Sequence, residues 1–246
     1  MKKPKAVLFD LCDTLLIFDS QRLPLVQVDG QVIRSTAGIV HQKLAMHVSL
    51  SFEAYYGAFV QTTQEIVQAR EQDHHEVTAE EKFQRVLHRL GLGPDQIPAP
   101  VLMQVVLTHM NALASALYLP PPHRQVVEAM SQKYKIGMIT NFDHSATVHE
   151  LLGREGIGNY FEPVVISADV GWRKPRREIF QKALDLLKLE AQQTVFVGND
   201  LKIDVGGAHA AGIPAIWFNR HNETPTLDLP VPDHTLFSLE DLQKIL

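Results

Sequence analysis

The chain has 246 residues, of which 45% are hydrophobic and 21% are charged, with a formal net charge of −5 and one cysteine. This length exceeds one average domain and falls short of two, and the ordinary composition excludes long disorder. The mild acidity argues against non-specific binding to nucleic acid or to an anionic membrane. The single cysteine excludes an intramolecular disulfide framework and any multi-cysteine metal site.

The start of the chain is basic, but the segment after it does not have the pattern of a signal peptide. Asp10 and Asp13 interrupt its apolar residues, and no small-residue cleavage site follows. No stretch approaches the roughly 20 apolar residues that a membrane span needs. We therefore expect a cytoplasmic protein with no membrane partner.

Short apolar runs typical of buried strands recur along most of the chain, with helical patterns between them. The predicted strands are Lys5–Asp10, Lys135–Thr140, Pro163–Ser167, Thr194–Gly198 and Pro214–Phe218. The predicted helices among them are Arg124–Lys133, Ser145–Glu155, Arg177–Leu187 and Ile203–Ala211. Strands that alternate with helices predict an α/β fold, with a Rossmann-like parallel sheet and right-handed crossovers.

Residues 21–119 break this alternation. They open with a segment whose Asp29-Gly30 pair is a two-residue hairpin signal. Only helical patterns follow, and Thr78 and Glu81 form a capping box at the start of one. The predicted helices are Ala37–Val48, Phe52–Arg70, Ala79–Leu90 and Val101–Ser115. We therefore predict an α/β core domain of residues 1–20 and 120–246, and an inserted, mainly helical domain of residues 21–119 with an N-terminal β-hairpin.

Polar side chains follow the predicted strands at the points where the strands end. They are Asp10, Asp13, Thr14, Thr140, Asn141, Asn199, Asp200 and Asp204, with Lys174 just before a helix. Because ligands bind beyond the carboxyl ends of parallel strands, we expect these side chains to converge. Carboxylates suit a hard cation such as Mg²⁺, whereas Thr140 and Lys174 suit anionic oxygens. The set predicts transfer of a phosphoryl group, or of another group carried on an anion, to an aspartate and then to water.

The order of four segments resembles the haloacid dehalogenase superfamily of hydrolases over essentially the whole chain. The segments are Phe9–Leu15, Ile139–Asn141, Gly171–Pro175 and Val197–Gly212. The helical insert lies where that family places its cap domain. The resemblance implies a Mg²⁺-dependent phosphatase that acts on a small phosphorylated metabolite through an aspartyl-phosphate. Two alternatives stay open: a metal-independent 2-haloacid dehalogenase, and a degenerate member that binds an anion or a protein without turnover.

The resemblance also implies roles for individual residues. Asp10 matches the nucleophile, and Lys174 matches the lysine that neutralises the nucleophile and the phosphate. Thr140 matches the residue that hydrogen-bonds the transferring group, and Asn141 follows it as a further substrate contact. The implied metal ligands are Asp10, the backbone carbonyl of Cys12, and Asn199, with Asp204 in support.

Two positions depart from the family's phosphatases. Cys12 stands where they have a second aspartate that protonates the leaving oxygen, and a thiol with a pKa of about 8.5 is a poor substitute. Asn199 stands where an aspartate is usual, so it offers an oxygen to Mg²⁺ but no charge. Both departures favour the dehalogenase alternative, for which Arg34 is a candidate halide ligand in the helical insert.

Overall fold

The structure, a computed structural model, describes residues 3–246, so the first two residues of the basic start lie outside the described residues. The chain divides into two compact units. One unit consists of Met1–Phe18 and Tyr118–Leu246, and we call it the sheet unit. The other consists of Asp19–Leu117, and we call it the helical unit.

The predicted strands and helices occur in the predicted order. The strands are β1 (Ala6–Phe9), β2 (Ile17–Phe18), β3 (Leu25–Val28), β4 (Gln31–Arg34), β5 (Leu117–Tyr118), β6 (Lys135–Thr140), β7 (Phe161–Ile166), β8 (Thr194–Gly198), β9 (Ala215–Phe218) and β10 (His234–Leu236). The α-helices are α1 (Ala37–Ala45), α2 (Phe52–Asp73), α3 (Ala79–Arg89), α4 (Ala99–Ala116), α5 (Pro121–Ser131), α6 (Ser145–Arg154), α7 (Ser167–Val170), α8 (Arg177–Leu187), α9 (Gly206–Ala210) and α10 (Leu242–Ile245). A π-helix covers Leu201–Val205. Strands β2, β5 and β10 and helices α7 and α10 are additional elements that the patterns did not predict.

The sheet unit is built on a six-stranded sheet with the strand order β10-β9-β8-β1-β6-β7. Every neighbouring pair in it is parallel. The α/β fold class is confirmed. The edge strand β10 was not predicted, because it is three residues long and two of them are exposed. The predicted helix over Ile203–Ala211 is corrected, since it begins as the π-helix and continues as the short α9.

Strand β1 lies in the centre of this sheet because all four of its residues are apolar. Phe9 pairs with Met138 on β6 and with Val197 on β8. Each residue of β1 is fully buried, as is typical of a parallel strand covered on both faces. On one face Leu8 belongs to an apolar cluster with Phe180 of α8. Burial of each such side chain contributes about 1.5–3 kcal/mol, and this anchors the strand that ends at Asp10.

The helical unit begins with the predicted hairpin. Strands β3 and β4 pair antiparallel, and Asp29 and Gly30 between them have φ values of 48° and 77°. Two left-handed residues are what a type I′ turn requires. The capping box is also confirmed: the Thr78 hydroxyl accepts the N–H of Glu81 at 3.2 Å, and the Glu81 carboxylate accepts the N–H of Thr78 at 2.8 Å.

Helix α4 bears on the expectation that no stretch of the chain is long and apolar enough to span a membrane. Within the described residues it alone is long and apolar enough to cross a membrane, with 18 residues and a mean hydropathy of 1.2. Its buried side chains, which include Val105, Val106 and Met110, contribute to the interior of the helical unit. The core helices of soluble proteins satisfy the same criterion, so a single helix of this kind is weak support for a span.

Candidate active site

Asp10 lies directly after the carboxyl end of β1, at the centre of the sheet. Its N–H donates to the carbonyl oxygen of Val197 at 2.9 Å and so extends the strand pairing by one residue. The residue is only 6% exposed. The predicted nucleophile is therefore a buried carboxylate fixed by the sheet at the edge where parallel strands present ligands.

Lys174 reaches Asp10 from the loop before α8. Its Nζ lies 2.5 Å from Asp10 Oδ1 and 2.8 Å from Asp204 Oδ1. Burial alone lowers the pKa of this ammonium group, but the two carboxylates outweigh burial and the pKa is raised. Lys174 is therefore a buried cation held between two carboxylates.

The carboxyl group of Asp10 is less acidic than that of an ordinary aspartate. Its pKa is raised to about 6: burial and then the charge of Asp204 raise it, and the cation of Lys174 acts in the opposite direction. A more basic carboxylate is a stronger nucleophile when it is ionised. The environment of Asp10 thus suits the attack on an electrophile that the sequence predicts.

Asp204 lies in the π-helix and is 2% exposed. Its Oδ2 accepts the N–H of Asp200 at 3.0 Å. Gly198, the last residue of β8, makes this position possible, because a Cβ on residue 198 would lie 2.4 Å from Asp204 Oδ2. Gly198 was not among the predicted site residues. The signal that could have identified it is its position, as a glycine immediately before the polar segment.

The neighbouring Asp200 makes its hydrogen bonds within its own segment. Its Oδ1 accepts the N–H groups of Lys202 at 2.8 Å and of Ile203 at 2.7 Å. These contacts cap the N-terminus of the π-helix, as is typical of aspartate at such a position.

Asn199 faces the loop that follows β1. Its Oδ1 accepts the hydroxyl of Thr14 at 3.2 Å, and its backbone oxygen accepts the indole N–H of Trp217 at 2.9 Å. The Thr14 hydroxyl also interacts with Asp10, which helps to hold the pKa of that carboxyl down. Thr14 is therefore a site residue to which the sequence analysis assigned no role.

Thr140 ends β6, the neighbour of β1, and Asn141 follows it, and the two side chains make different contacts. Thr140 is 1% exposed, and its hydroxyl has no hydrogen-bond partner among the described residues. The amide of Asn141 is bound at both ends by one residue: Oδ1 accepts the N–H of Lys174 at 2.7 Å, and Nδ2 donates to its carbonyl at 3.1 Å. Asn141, which the resemblance offered as a substrate contact, thus positions the backbone of Lys174.

Cys12 and Asp13 belong to the loop that follows Asp10. Burial, and then the charge of Asp10, raise the pKa of the Cys12 thiol far above its usual range. Asp13 has a left-handed φ of 59°. Its Oδ1 accepts the N–H of Phe18 at 3.2 Å and the guanidinium of Arg220 at 3.1 Å. The Asp13 side chain is therefore engaged with Phe18 and Arg220, although it belongs to the set of side chains that was expected to converge.

The candidate metal-binding atoms around Asp10 are of the type that a hard cation prefers. Within residues 3–246, no group of three or more His, Cys, Asp or Glu side chains is placed to hold a metal ion. The predicted ligands beside Asp10 are instead the Cys12 carbonyl and the amide oxygen of Asn199. All are oxygens, as Mg²⁺ prefers, but one carboxylate oxygen each of Asp10 and Asp204 is already paired with Lys174.

Arg34, the candidate halide ligand, is engaged inside the helical unit. Its Nε donates to Gln21 Oε1 at 3.0 Å, and another guanidinium nitrogen donates to the Leu23 carbonyl at 2.8 Å. These contacts tie strand β4 to the segment before β3.

Comparison with known proteins places these residues in a family. The profile of the haloacid dehalogenase-like hydrolases matches residues 4–212. A glyceraldehyde 3-phosphate phosphatase from Methanopyrus kandleri is 29% identical over 232 residues, which are 93% of this chain and 91% of that protein. The pyrimidine 5'-nucleotidase YjjG of Escherichia coli is 32% identical over 166 residues, which are 67% of this chain and 69% of that protein.

A solved structure shares the fold. The 2-haloacid dehalogenase from Pseudomonas syringae pv. Tomato superposes with a TM-score of 0.71 and 22% identity, covering 98% of this chain and 97% of that one. At this level of identity the likeness extends to the fold.

Proposed function

The chain belongs to the haloacid dehalogenase-like hydrolase family, and on that premise we propose that it is a Mg²⁺-dependent phosphatase of small phosphorylated metabolites, acting through an aspartyl-phosphate. The observation that carries this proposal is the buried hydroxyl of Thr140, which has no protein partner. A buried donor without a partner is costly, and a substrate oxygen bound there removes that cost. The phosphatase and nucleotidase relatives support the same reading.

In this proposal three buried polar residues have separate roles. Lys174 holds Asp10 Oδ1 at 2.5 Å, and we assign the attack on phosphorus to Oδ2. The ammonium group of Lys174 offsets the negative charge of nucleophile and phosphoryl group together. The Thr140 hydroxyl donates to a phosphoryl oxygen and orients it.

We propose that Asp10, the Cys12 carbonyl and Asn199 hold the metal, with Asp204 in support. When bound, Mg²⁺ neutralises charge on the transferring phosphoryl group. Asn199 supplies an oxygen without charge, so we expect Mg²⁺ to bind this site more weakly than a site with two ligating carboxylates.

The domain assignment and the cellular setting belong to the same proposal. We assign residues 1–20 and 120–246 to the catalytic core, and residues 21–119 to a cap domain that selects the substrate and excludes water. The partner is a small anionic molecule in the cytoplasm, with no nucleic acid and no membrane involved.

The experiment is to trap the intermediate. The full-length protein with Mg²⁺ is mixed with 4-nitrophenyl phosphate and quenched in acid, and its intact mass is measured. We expect the mass of one added phosphoryl group, its loss on treatment with hydroxylamine, and neither adduct nor turnover in Asp10→Asn. Equal phosphate release by the wild-type protein and Asp10→Asn would falsify the proposal.

A second candidate reaction is 2-haloacid dehalogenation, which Cys12 and Asn199 favour. Asp10 would then attack carbon and release halide, and the ester would be hydrolysed by water. Halide release from 2-chloropropionate in the presence of EDTA supports this candidate, and its absence removes it.

A degenerate, binding-only protein is the third candidate, and calorimetry distinguishes it from the other two. Binding of Mg²⁺ and inorganic phosphate, without Asp10-dependent turnover of any phosphate ester, is the result that it requires.

A further inference from the structure

A cavity of about 340 Å³ lies in the sheet unit beside the proposed active site, and the proposed mechanism does not use it. Its wall consists of two segments, residues 199–202 and residues 217–221, together with Glu223 and Leu229. The first segment follows β8 and the second begins at the end of β9. The cavity therefore lies at the carboxyl ends of two parallel strands, where sheets of this kind bind ligands, and its volume suits a small molecule.

The cavity adjoins the proposed active site through Asn199. The backbone oxygen of Asn199 accepts the indole N–H of Trp217 at 2.9 Å. Its side-chain oxygen accepts the hydroxyl of Thr14 at 3.2 Å, and that hydroxyl also interacts with Asp10. One residue thus contributes both to the wall of the cavity and to the contacts around Asp10.

Hydrogen bonds fix the turn that forms one side of the wall. The side chain of Asn219 is buried, and it binds the backbone of Glu223 at both ends. Its Nδ2 donates to the carbonyl of Glu223 at 2.9 Å, and its Oδ1 accepts the N–H of Glu223 at 2.8 Å. Trp217 and Phe218, which precede the turn, are also buried. A wall that is held in this way loses little conformational freedom when a ligand binds.

Arg220 is the cation of this wall that neighbouring side chains hold in place. Its Nε donates to His221 Nε2 at 2.9 Å, and another guanidinium nitrogen donates to Asp13 Oδ1 at 3.1 Å. A guanidinium has five N–H donors, so three remain without a partner among the residues that the structure describes. Asp13 belongs to the loop that follows Asp10, so Arg220 connects the cavity to that loop.

The other charged side chains of the wall offer no comparable group to a ligand. Asp200 directs its Oδ1 to the N–H groups of Lys202 and Ile203. Lys202 and Glu223 are exposed and carry opposite charges. Arg220 therefore decides which chemistry the cavity recognises, and a guanidinium binds carboxylate or phosphate oxygens, often through two N–H groups at once.

We infer that this cavity binds the leaving portion of the substrate, and that Arg220 recognises a second anionic group on it, a carboxylate or a further phosphate. The inference rests on the proposed phosphatase function and names its substrate class: small phosphate esters that carry another negative charge remote from the ester. The phosphoryl group is bound beside Asp10, and the remainder of the substrate extends past Asn199 into the cavity. Arg220 is thus a specificity-determining residue of the sheet unit.

The test compares esters that share a skeleton and differ in one remote group, with the full-length protein and Mg²⁺. In the first pair, 3-phosphoglycerate carries a carboxylate where glycerol 3-phosphate carries an alcohol. In the second pair, fructose 1,6-bisphosphate carries a phosphate where fructose 6-phosphate carries an alcohol. We expect the anionic member of at least one pair to have a kcat/KM about 10–100-fold higher, as hydrogen bonds to a charged group contribute. The pair that shows the difference identifies the anionic group.

Arg220→Gln removes the cation and keeps a polar side chain. We expect it to remove most of the preference through a higher KM for the anionic ester, with kcat nearly unchanged, because the contact is remote from the reacting atoms. Arg220→Lys keeps the charge without the planar fork and should retain part of the preference. Arg154→Gln removes an arginine from an ion pair elsewhere in the sheet unit and should retain all of it.

The outcomes separate this inference from the proposed function. Equal kcat/KM within both pairs, or a preference that persists in Arg220→Gln, overturns the inference and leaves the phosphatase intact. The wild-type comparison decides the question if a variant does not fold.

Absence of Asp10-dependent turnover of all four esters overturns the phosphatase itself. Calorimetric binding of 3-phosphoglycerate and fructose 1,6-bisphosphate to Asp10→Asn, with and without Arg220→Gln, then tests the cavity separately. Weaker binding in the double variant supports the role of Arg220, and equal binding overturns it.

Discussion

Asp10 has two contrasting sides. On the lysine side, formed by Lys174 and Asp204, the Lys174 ammonium group lies within ion-pair distance of two buried carboxylates, those of Asp10 and Asp204. On the amide side, formed by Thr14 and Asn199, the contact is a neutral hydrogen bond of 3.2 Å. Two positions depart from the family's phosphatases. Asn199 belongs to the amide side, and Cys12 adjoins it. The buried charges thus lie on the lysine side, whereas the amide side offers only neutral groups.

The largest effect tests whether the lysine side is held together by its charge. Lys174→Met leaves two buried carboxylates without a cation, so we expect a loss of about 3–5 kcal/mol in the free energy of unfolding. Urea denaturation at neutral pH measures it. Adding Asp204→Asn removes one of the two charges and should restore at least half of the loss. If the double variant is no more stable than Lys174→Met, the ion-pair account of this side is wrong.

The next prediction tests how tightly Asp204 is packed. Gly198→Ala places a methyl group 2.4 Å from its Oδ2, and we expect a loss of about 1–3 kcal/mol from overpacking, together with lower turnover as the Lys174 contact shifts.

A matched control is Gly153→Ala in α6, where an added Cβ meets nothing within 4 Å. It should stabilise the protein by about 0.5–1 kcal/mol, because alanine is the better helix former. Equal effects of the two substitutions in thermal unfolding would show that Asp204 is not constrained by Gly198.

The third prediction concerns a substitution that adds a negative charge to the amide side. Asn199→Asp retains an oxygen for the Thr14 hydroxyl and adds a carboxylate to the proposed metal ligands. We expect calorimetry to show Mg²⁺ binding about tenfold tighter. Asn159→Asp, at an exposed position, makes the same change in net charge and should have no such effect. An equal gain in both variants would assign the effect to net charge and not to the site.

The smallest effect concerns the ion pair that holds the loop after Asp10. Arg220 and Asp13 are partly exposed, with 24% and 37% of their side chains accessible, so solvent screens their attraction. Arg220→Gln should lower the free energy of unfolding by less than about 1 kcal/mol. A loss of several kcal/mol in chemical denaturation would show that solvent does not screen this pair and that it anchors the loop.

Much of the sheet unit could be predicted because its signals are local. Residues Lys135–Thr140 and Thr194–Gly198 were predicted as strands and form β6 and β8 with the same bounds. The predicted helix over Arg177–Leu187 likewise forms α8. Alternation of apolar runs and helical patterns requires a parallel sheet, and a parallel sheet brings its strand ends to one edge. The residues that converge there were therefore predictable as a set.

The contacts inside that set were not predictable. Asn141 binds the backbone of Lys174 across 33 residues, and Thr14 meets Asn199 across 185. Sequence spacing does not predict such contacts, because they depend on where each crossover connection brings the chain back to the sheet.

The sequence by itself determined the fold class, the family resemblance and the strand that precedes Asp10, because periodicity and short motifs act over a few residues. Only the tertiary structure decided that Lys174 is shared by Asp10 and Asp204, that Thr140 keeps a buried hydroxyl without a partner, and that Gly198 must lack a side chain. The physical reason is distance. Ion pairing, hydrogen bonding and steric exclusion act over a few ångströms, and strands far apart in the chain reach that separation only when the sheet has formed.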